Sequence, residues 1–131
     1  MVVLDTDIII QSWKENEEAI NTIDYFIDNK IYLEITIINL LELYRGIYFS
    51  TQYEKNLKII KEFLEYVDIL SLTEESCKIY GKIYKDLKET GKLINDFDLI
   101  IAAIVIQNNT SLITRNIKHF ENIKELKVES W

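Results

Sequence analysis

The chain has 131 residues, with 15 lysines and arginines against 22 aspartates and glutamates and a formal net charge of −7. That charge argues against a protein that coats nucleic acid by bulk electrostatic attraction. An acidic protein can still touch nucleic acid locally, because a bound metal ion reverses the sign of an acidic cleft. No apolar stretch approaches the ~20 residues that a membrane helix needs, and the single cysteine, Cys77, rules out an internal disulfide. With no signal-peptide pattern at its start, the sequence predicts one cytoplasmic domain over residues 1–131.

The single histidine, His119, narrows the chemistry further. It rules out a paired-histidine ribonuclease mechanism within one chain and a histidine-rich zinc site. The sequence also lacks a Gly-x-Ser-x-Gly nucleophile elbow and the glycine-rich loops that bind nucleotide phosphates. Carboxylates are abundant instead, and these hard oxygen ligands suit Mg²⁺ or Mn²⁺.

The first third of the chain alternates short apolar runs with segments of helical spacing. Val2-Val3-Leu4 predicts a buried strand that ends at Asp5, and a helix is expected to begin near Asp7. A helix over residues 16–28 and a strand over residues 31–35 follow. Thr36 is then the predicted N-cap of a third helix.

The remainder of the chain continues the alternation. Thr51-Gln52-Tyr53-Glu54 has the form of a capping box and predicts a helix that runs to about Tyr66. The elements expected after it are a strand over 67–70, a helix from 71–74 to a C′ glycine at Gly91, a helix over 96–107, a strand over 111–114, a helical turn over 117–120 and a strand over 126–128. Strands that alternate with helices predict an α/β sandwich with a mainly parallel sheet of about five strands.

The helix over residues 96–107 carries acids at its first turn. Asp96 and Asp98 precede an apolar run from Leu99 to Ile106, which is hydrophobic on every side and therefore predicts a buried helix. Asp5 follows a strand, and ligands of parallel sheets bind outside the carboxyl ends of the strands. The topology allows these acids to converge with Glu42, and a cluster of carboxylates without a cation is costly through like-charge repulsion. The pattern favours a divalent metal site that activates water for phosphodiester hydrolysis.

Five motifs in the same order, over almost the whole chain, resemble those of PIN domains. They are Leu4-Asp5-Thr6-Asp7-Ile8, Glu42-Leu43-Tyr44-Arg45-Gly46, Asp98-Leu99-Ile100-Ile101-Ala102-Ala103, Leu112-Ile113-Thr114-Arg115-Asn116, and His119-Phe120 with Leu126-Lys127-Val128-Glu129-Ser130-Trp131. Each motif alone is weakly specific, whereas all five in order are a strong signal. The length of the chain resembles that of VapC toxins, the nuclease members of VapBC toxin–antitoxin pairs.

The resemblance implies a PIN-like α/β/α sandwich and a Mg²⁺- or Mn²⁺-dependent endoribonuclease that acts on RNA. It implies a homodimer and a cognate VapB-type antitoxin as partner. Carried over by motif, Asp5, Glu42 and Asp98 are the catalytic and metal-binding acids, and Asp96 is a further ligand. The fourth motif position, which is Asp or Asn in relatives, is Asn116 here. An uncharged amide there would be a weaker ligand or a water-positioning group.

Simpler structural roles compete with several of these assignments. In these alternatives, Asp5 does no more than cap a turn, and Asp96 and Asp98 do no more than stabilise the start of a helix. Glu42 would pair with Arg45 at a spacing of three residues. The supporting residues Thr114 and Asp7 would orient an acid or simply end a strand, and His119 is expected beside the site or on the surface.

Two features of the fifth predicted helix have similar alternatives. Cys77, with Tyr80, Tyr84 and Leu87 on the same helix face, is expected in the core or at a dimer interface. A lysine row is interpreted as a solvated face rather than an RNA contact; it consists of Lys78, Lys82, Lys85 and Lys92.

Two other functions remain open from the sequence. One is a PIN nuclease that processes RNA without an antitoxin. The other is a catalytically weak or inactive PIN domain that serves as an RNA- or protein-binding module, supported only by Asn in place of Asp at position 116.

Overall fold

The computed structural model describes all of residues 1–131 and contains five strands and seven helices. In chain order these are β1 (Val2–Leu4), α1 (Thr6–Trp13), α2 (Glu17–Asp28), β2 (Leu33–Thr36), α3 (Ile37–Phe49), α4 (Tyr53–Phe63), β3 (Asp68–Leu70), α5 (Glu74–Glu89), α6 (Asp96–Gln107), β4 (Ser111–Ile113), α7 (Ile117–Phe120) and β5 (Lys127–Glu129). None of the helices combines the length and the apolar character needed to cross a membrane.

The five strands form one sheet in the order β3-β2-β1-β4-β5, and every pair of neighbours is parallel. β1 lies at the centre, where Val3 is in register with Glu34 of β2 and Leu112 of β4. Sheets of this kind are covered by helices on both faces, which explains the apolar runs of the central strands. The predicted mainly parallel, five-stranded sheet is confirmed.

Alternate residues of the central strands enter two hydrophobic cores, one on each face of the sheet. Val3 and Leu112 join a core of 14 buried residues with α5, α6 and α7. Leu4 and Ile113 join a core of 13 buried residues with α1, α2, α3 and α4. The molecule is therefore an α/β/α sandwich, as the sequence predicts.

Helix α6 is the buried helix that the apolar run predicts. Asn95 caps it by accepting a hydrogen bond from the backbone of Asp98 at 3.0 Å. Six of its twelve residues are buried, from Leu99 to Val105. The cap therefore holds the acidic first turn at the surface while the rest of the helix fills the core.

The sequence predicts some helix ends correctly and others wrongly. Thr36 caps α3 through a capping box, and Gly91 follows α5 with a φ of 69°. The predicted cap at Thr51 is wrong: Gln52 occupies the N-cap of α4 without a side-chain hydrogen bond. Asn56 Nδ2 instead closes this turn by donating to Ser50 Oγ at 3.0 Å.

Two smaller corrections concern burial and length. Cys77 is exposed on α5, which excludes the core that was one of its two expected places and leaves the dimer interface as a prediction. Helix α4 ends at Phe63 rather than near Tyr66.

Gly46 lies in the interior of α3 with an ordinary helical backbone. A Cβ added there would meet no atom within 4 Å. Glycine in a helix interior destabilises a protein by about 0.5–1 kcal/mol relative to alanine. Neither backbone conformation nor packing within the chain therefore requires this glycine.

Candidate active site

The three central strands end side by side at one edge of the sheet. Asp5 directly follows β1, Thr114 directly follows β4, and Thr36 is the last residue of β2. Glu42 reaches this edge from α3 and Asp98 from the first turn of α6. The acids that the sequence singles out thus approach the same edge from separate parts of the chain.

Asp5 is the most enclosed of these acids, with 5% of its surface exposed. Its Oδ1 accepts hydrogen bonds from the Thr6 backbone at 2.8 Å and from Asn39 Nδ2 at 3.2 Å. Its Oδ2 accepts from Thr114 Oγ1 at 2.7 Å. Burial, together with the charges of Asp7 and Asp98, raises the pKa of Asp5 to about 6 despite the lowering effect of the hydrogen bonds from Thr114 and Thr6.

Glu42 is half-buried and joined to Asp5 by a short polar chain. Asn39 Nδ2 also donates to Thr6 Oγ1 at 3.1 Å, and the Thr6 hydroxyl donates to Glu42 Oε1 at 2.9 Å. Burial raises the pKa of Glu42, and the charge of Asp98 raises it too. The alternative pairing with Arg45 is weak, because the Arg45 guanidinium is largely exposed and lies 4.0 Å from Glu42 Oε2.

Asp98 is fixed by two donors on the same oxygen. Asn95 Nδ2 donates to Asp98 Oδ2 at 2.7 Å, and His119 Nδ1 lies 2.9 Å from that atom. His119 therefore stands beside the site, one of the places the sequence allowed for it. Asp98 Oδ1 has no partner in the chain and is available to a ligand.

In this structure, no three acidic, histidine or cysteine side chains lie close enough together to coordinate a metal ion. The acids nevertheless act on one another, because the charge of Asp98 raises the pKa of both Asp5 and Glu42. A divalent cation among them would relieve this repulsion, and carboxylate oxygens are the ligands that Mg²⁺ and Mn²⁺ prefer. The donor set therefore fits such an ion in its chemistry.

The other predicted site residues lie further out. Asp96 is exposed, and its Oδ1 accepts a hydrogen bond from Tyr80 of α5 at 2.8 Å. Asn116 is exposed at the start of α7, with its backbone N–H donating to Thr114 Oγ1 at 3.0 Å. The structure thus places neither side chain in contact with Asp5, Glu42 or Asp98.

Asp7 ties the end of the chain to the site. Its carboxylate accepts hydrogen bonds from the Arg115 backbone at 2.8 Å and from Trp131 Nε1 at 3.1 Å. The Arg115 guanidinium lies 3.7 Å from the centre of the Trp131 ring and pairs with Glu18. This arrangement gives Asp7 a structural role next to Thr114, which lies 3.3 Å from it.

Asn39 is the residue that sequence reasoning missed. It is fully buried, and its amide group orients Asp5 and Thr6 while its Oδ1 accepts from the Thr36 backbone at 2.9 Å. The spacing of Thr36 and Asn39 is that of a capping box, which was the available signal. Thr6 was noted only as part of a motif, although it carries the link between Asp5 and Glu42.

Comparison with protein families gives this geometry a context. A family model described as PIN domain matches residues 2–126 of the chain. The chain belongs to the PIN domain family. The resemblance that the sequence motifs indicated is thereby confirmed.

Relatives of this PIN domain carry a common name. Ribonuclease VapC1 of Haemophilus influenzae strain R2866 is 34% identical over 130 residues, which cover 98% of this chain and 96% of that protein. Ribonuclease VapC1 of Methanocaldococcus jannaschii is 44% identical over 109 residues, covering 79% of this chain and 76% of that protein. These similarities indicate a nuclease lineage.

A solved structure repeats the fold of this PIN domain closely. The crystal structure of VapBC2 from Rickettsia felis, bound to a DNA fragment from its promoter, contains a chain that superposes with a TM-score of 0.91. The two sequences are 30% identical, and the match covers 100% of this chain and 99% of that one. The α/β/α sandwich is therefore that of a toxin–antitoxin protein of known structure.

Proposed function

We propose that this PIN domain, over residues 1–131, is a Mg²⁺- or Mn²⁺-dependent endoribonuclease and the toxin of a VapBC-type toxin–antitoxin pair. The observation that carries the proposal is the approach of Asp5, Glu42 and Asp98 to the carboxyl edge of the sheet, where the charge of Asp98 raises the pKa of both other acids. The names of the Haemophilus and Methanocaldococcus relatives support the reaction class.

Each of the three acids has a distinct setting for its role. Asp5 is held rigidly on both oxygens, whereas Glu42 and Asp98 each keep one oxygen without a hydrogen bond in the chain. These three carboxylates would hold the ion, and Thr114 and Asn39 would orient Asp5. A bound Mg²⁺ or Mn²⁺ supplies a Lewis acid for the phosphate and lowers the pKa of water. The protein's own contribution is to hold the carboxylates in place.

The roles of the outer residues are further proposals. Asp96 would act as an additional ligand through its Oδ2, because its Oδ1 accepts a hydrogen bond from the Tyr80 hydroxyl at 2.8 Å. Asn116 would place water or RNA rather than bind the ion strongly, because its amide carries no charge. Asp7 and Thr114 would support the site by fixing the loop after β4.

The expected partners follow from the same charge pattern. The relative from Rickettsia felis was solved as a VapBC complex, and we propose that this chain likewise binds a cognate antitoxin. An antitoxin that places a basic side chain against the acids would be favoured by the net charge of −7. We also propose a homodimer and a cytoplasmic location.

Cleavage of RNA by the purified protein tests the proposed function. A mixed RNA pool would be incubated with Mg²⁺, with Mn²⁺ and with EDTA, beside the Asp98→Asn and Glu42→Gln variants. We expect discrete cleavage that requires a divalent ion and falls at least about 100-fold in either variant, because each removes a charge that the ion needs. The exposed Asp24→Asn variant of α2 carries the same change of charge and should cleave normally.

The same assay separates the rival function. Metal-dependent cleavage that survives both Asp98→Asn and Glu42→Gln would contradict the site. No cleavage by the folded, antitoxin-free protein with either ion would favour the binding module that Asn116 suggested.

A further inference from the structure

A groove runs from the candidate active site along α3. It lies between α1, α3 and α4 and is lined by Ile10, Trp13, Lys14, Gly46 and Lys55, among others. Ile10 and Gly46 also line a shallower depression that contains Thr6 and Glu42. The two hollows therefore adjoin each other at Ile10 and Gly46, and we name them together the α3 groove.

The charge of the α3 groove is opposite to that of the molecule. Its deeper part is lined by two lysines, Lys14 and Lys55, and by no acid. Both lysines are exposed, and neither has an ion-pair partner. In the shallower part Arg45 faces Glu42 as the only other cation. In a chain with 22 acids and 15 basic residues, a lining of this kind suits a polyanion.

An exposed aromatic ring borders the shallower part of the groove. Phe49, the last residue of α3, is 94% exposed and borders the depression that holds Glu42. A large apolar ring gains nothing for folding in that position. Unpaired nucleic-acid bases stack on such rings irrespective of their sequence.

Gly46 keeps the groove open between the lysines and the acids. It lines both hollows, and a Cβ at this position would meet open space rather than protein. The helix would be more stable with another residue, as noted for the fold. The absence of a side chain therefore has its effect on what lies in the groove.

We propose that the α3 groove is the track of the single-stranded RNA substrate, which rests on the proposed ribonuclease function. The sugar–phosphate backbone passes over Gly46 as it leaves the acids, a base stacks on Phe49 at the end of α3, and phosphates lie against Lys14 and Lys55. Single-stranded RNA is favoured because base stacking on Phe49 requires an unpaired base.

Binding of RNA to a cleavage-deficient protein tests the lysines. The probe is a fluorescein-labelled, mixed-sequence 15-nucleotide RNA, added with Mg²⁺ to the Asp98→Asn variant at several salt concentrations. Adding Lys14→Gln and Lys55→Gln should weaken binding at least fivefold and flatten the slope of log K against log salt by about 1.4, since each phosphate contact contributes roughly 0.7 in single strands. The matched pair Lys82→Gln and Lys85→Gln removes equal charge from α5.

Filling the groove tests the path itself. Gly46→Leu should reduce cleavage by the otherwise unchanged protein at least tenfold, chiefly through KM, while its melting temperature stays equal or rises. Gly81→Leu is the control, because Gly81 is also helical with open space above it but lies on α5. Phe49→Ala should lower RNA affinity at least fivefold without unfolding the protein, because the ring packs on nothing.

Three results would overturn the proposal. RNA binding and cleavage unchanged by Gly46→Leu would show that RNA does not cross the groove, and a protein segment would then be its occupant. Greater weakening by the α5 lysine pair would assign RNA to that face. Equal weakening by both pairs would mean general attraction only. Failure of the proposed function is distinguishable, since the wild-type chain would then fail to cleave RNA with either Mg²⁺ or Mn²⁺, whatever the groove variants did.

Discussion

Asp5 is held in position by a hydroxyl group on Thr114, the residue that follows the neighbouring strand β4. Thr114 Oγ1 donates to Asp5 Oδ2 at 2.7 Å and accepts from the Asn116 backbone at 3.0 Å. The accepted bond directs the threonine proton toward the carboxylate. This hydrogen bond opposes the rise in the pKa of Asp5 that burial causes.

The Thr114→Val variant should therefore weaken metal binding. Loss of the hydroxyl removes a hydrogen bond that lowers the pKa of Asp5, and it leaves Oδ2 of that carboxylate without a partner. We expect Mg²⁺ affinity to fall roughly 10- to 100-fold, the range seen when groups that orient a metal ligand are removed. Titration calorimetry at pH 7 measures it. Thr110→Val, at the opposite end of β4 where its hydroxyl bonds to Met1, is the control and should bind Mg²⁺ normally.

Some residues of the candidate site could be predicted from the sequence, whereas others could be found only from the structure. Asp5, Glu42 and Asp98 stand in motifs, and their charge in apolar surroundings marked them in the sequence. Asn39 did not stand out, because its role depends on β1 and α3 meeting in space, 34 residues apart along the chain. Asp96 was marked by the same logic as Asp98, yet the helix directs it to Tyr80 of α5.

The hydrophobic periodicity of the sequence predicted the helices and strands that are buried on one face or on all sides. The apolar run of α6 and the capping pair of α3 appear where the sequence places them. The capping pattern at Thr51 placed the start of α4 one residue too early, because Gln52 is the N-cap and has no side-chain cap hydrogen bond. A hydrogen bond between the side chains of Asn56 and Ser50 spans this turn instead.

The end of α5 gives a prediction about stability. Gly91 has a φ of 69°, a conformation that costs a residue with a Cβ about 1 kcal/mol. Gly91→Ala should therefore lower the free energy of unfolding by about that amount. Gly81→Ala, in the interior of the same helix, should raise it by up to about 1 kcal/mol. Urea unfolding of both variants would show the opposite signs, and two losses of equal size would contradict this account.

The protein as a whole carries buried acids that work against folding at neutral pH. Besides Asp5 and Glu42, a third acid of this kind is Glu34 of β2. It is 6% exposed, and its Oε2 has no hydrogen-bond partner. Burial raises the pKa of Glu34, and the charge of Asp68 on the adjacent strand raises it too. Each of these acids binds its proton more tightly in the folded chain than in the unfolded chain.

Stability without divalent ions should therefore fall as pH rises. For Asp5 the loss spans pH 3.8 to about 6, because the folded chain holds that proton and the unfolded chain does not. Unfolding in EDTA between pH 4 and 7.5 measures the effect, and Glu34→Gln should flatten part of it. Mg²⁺ at pH 7 should restore stability in the wild type but much less in Asp98→Asn. Stability that increases over this range would contradict the raised pKa values.

The contact between Trp131 and Asp7 brings the last residue of the chain to the edge of the sheet that holds the acids. Met1 precedes β1 and, because all strands are parallel, lies at the opposite edge, where Thr110 bonds to its carbonyl. Peptide fused after Trp131 would emerge beside Asp7 and within reach of the path to Glu42. An affinity tag at that end would compete with RNA and depress measured turnover, whereas a tag before Met1 would leave from the far side of the molecule.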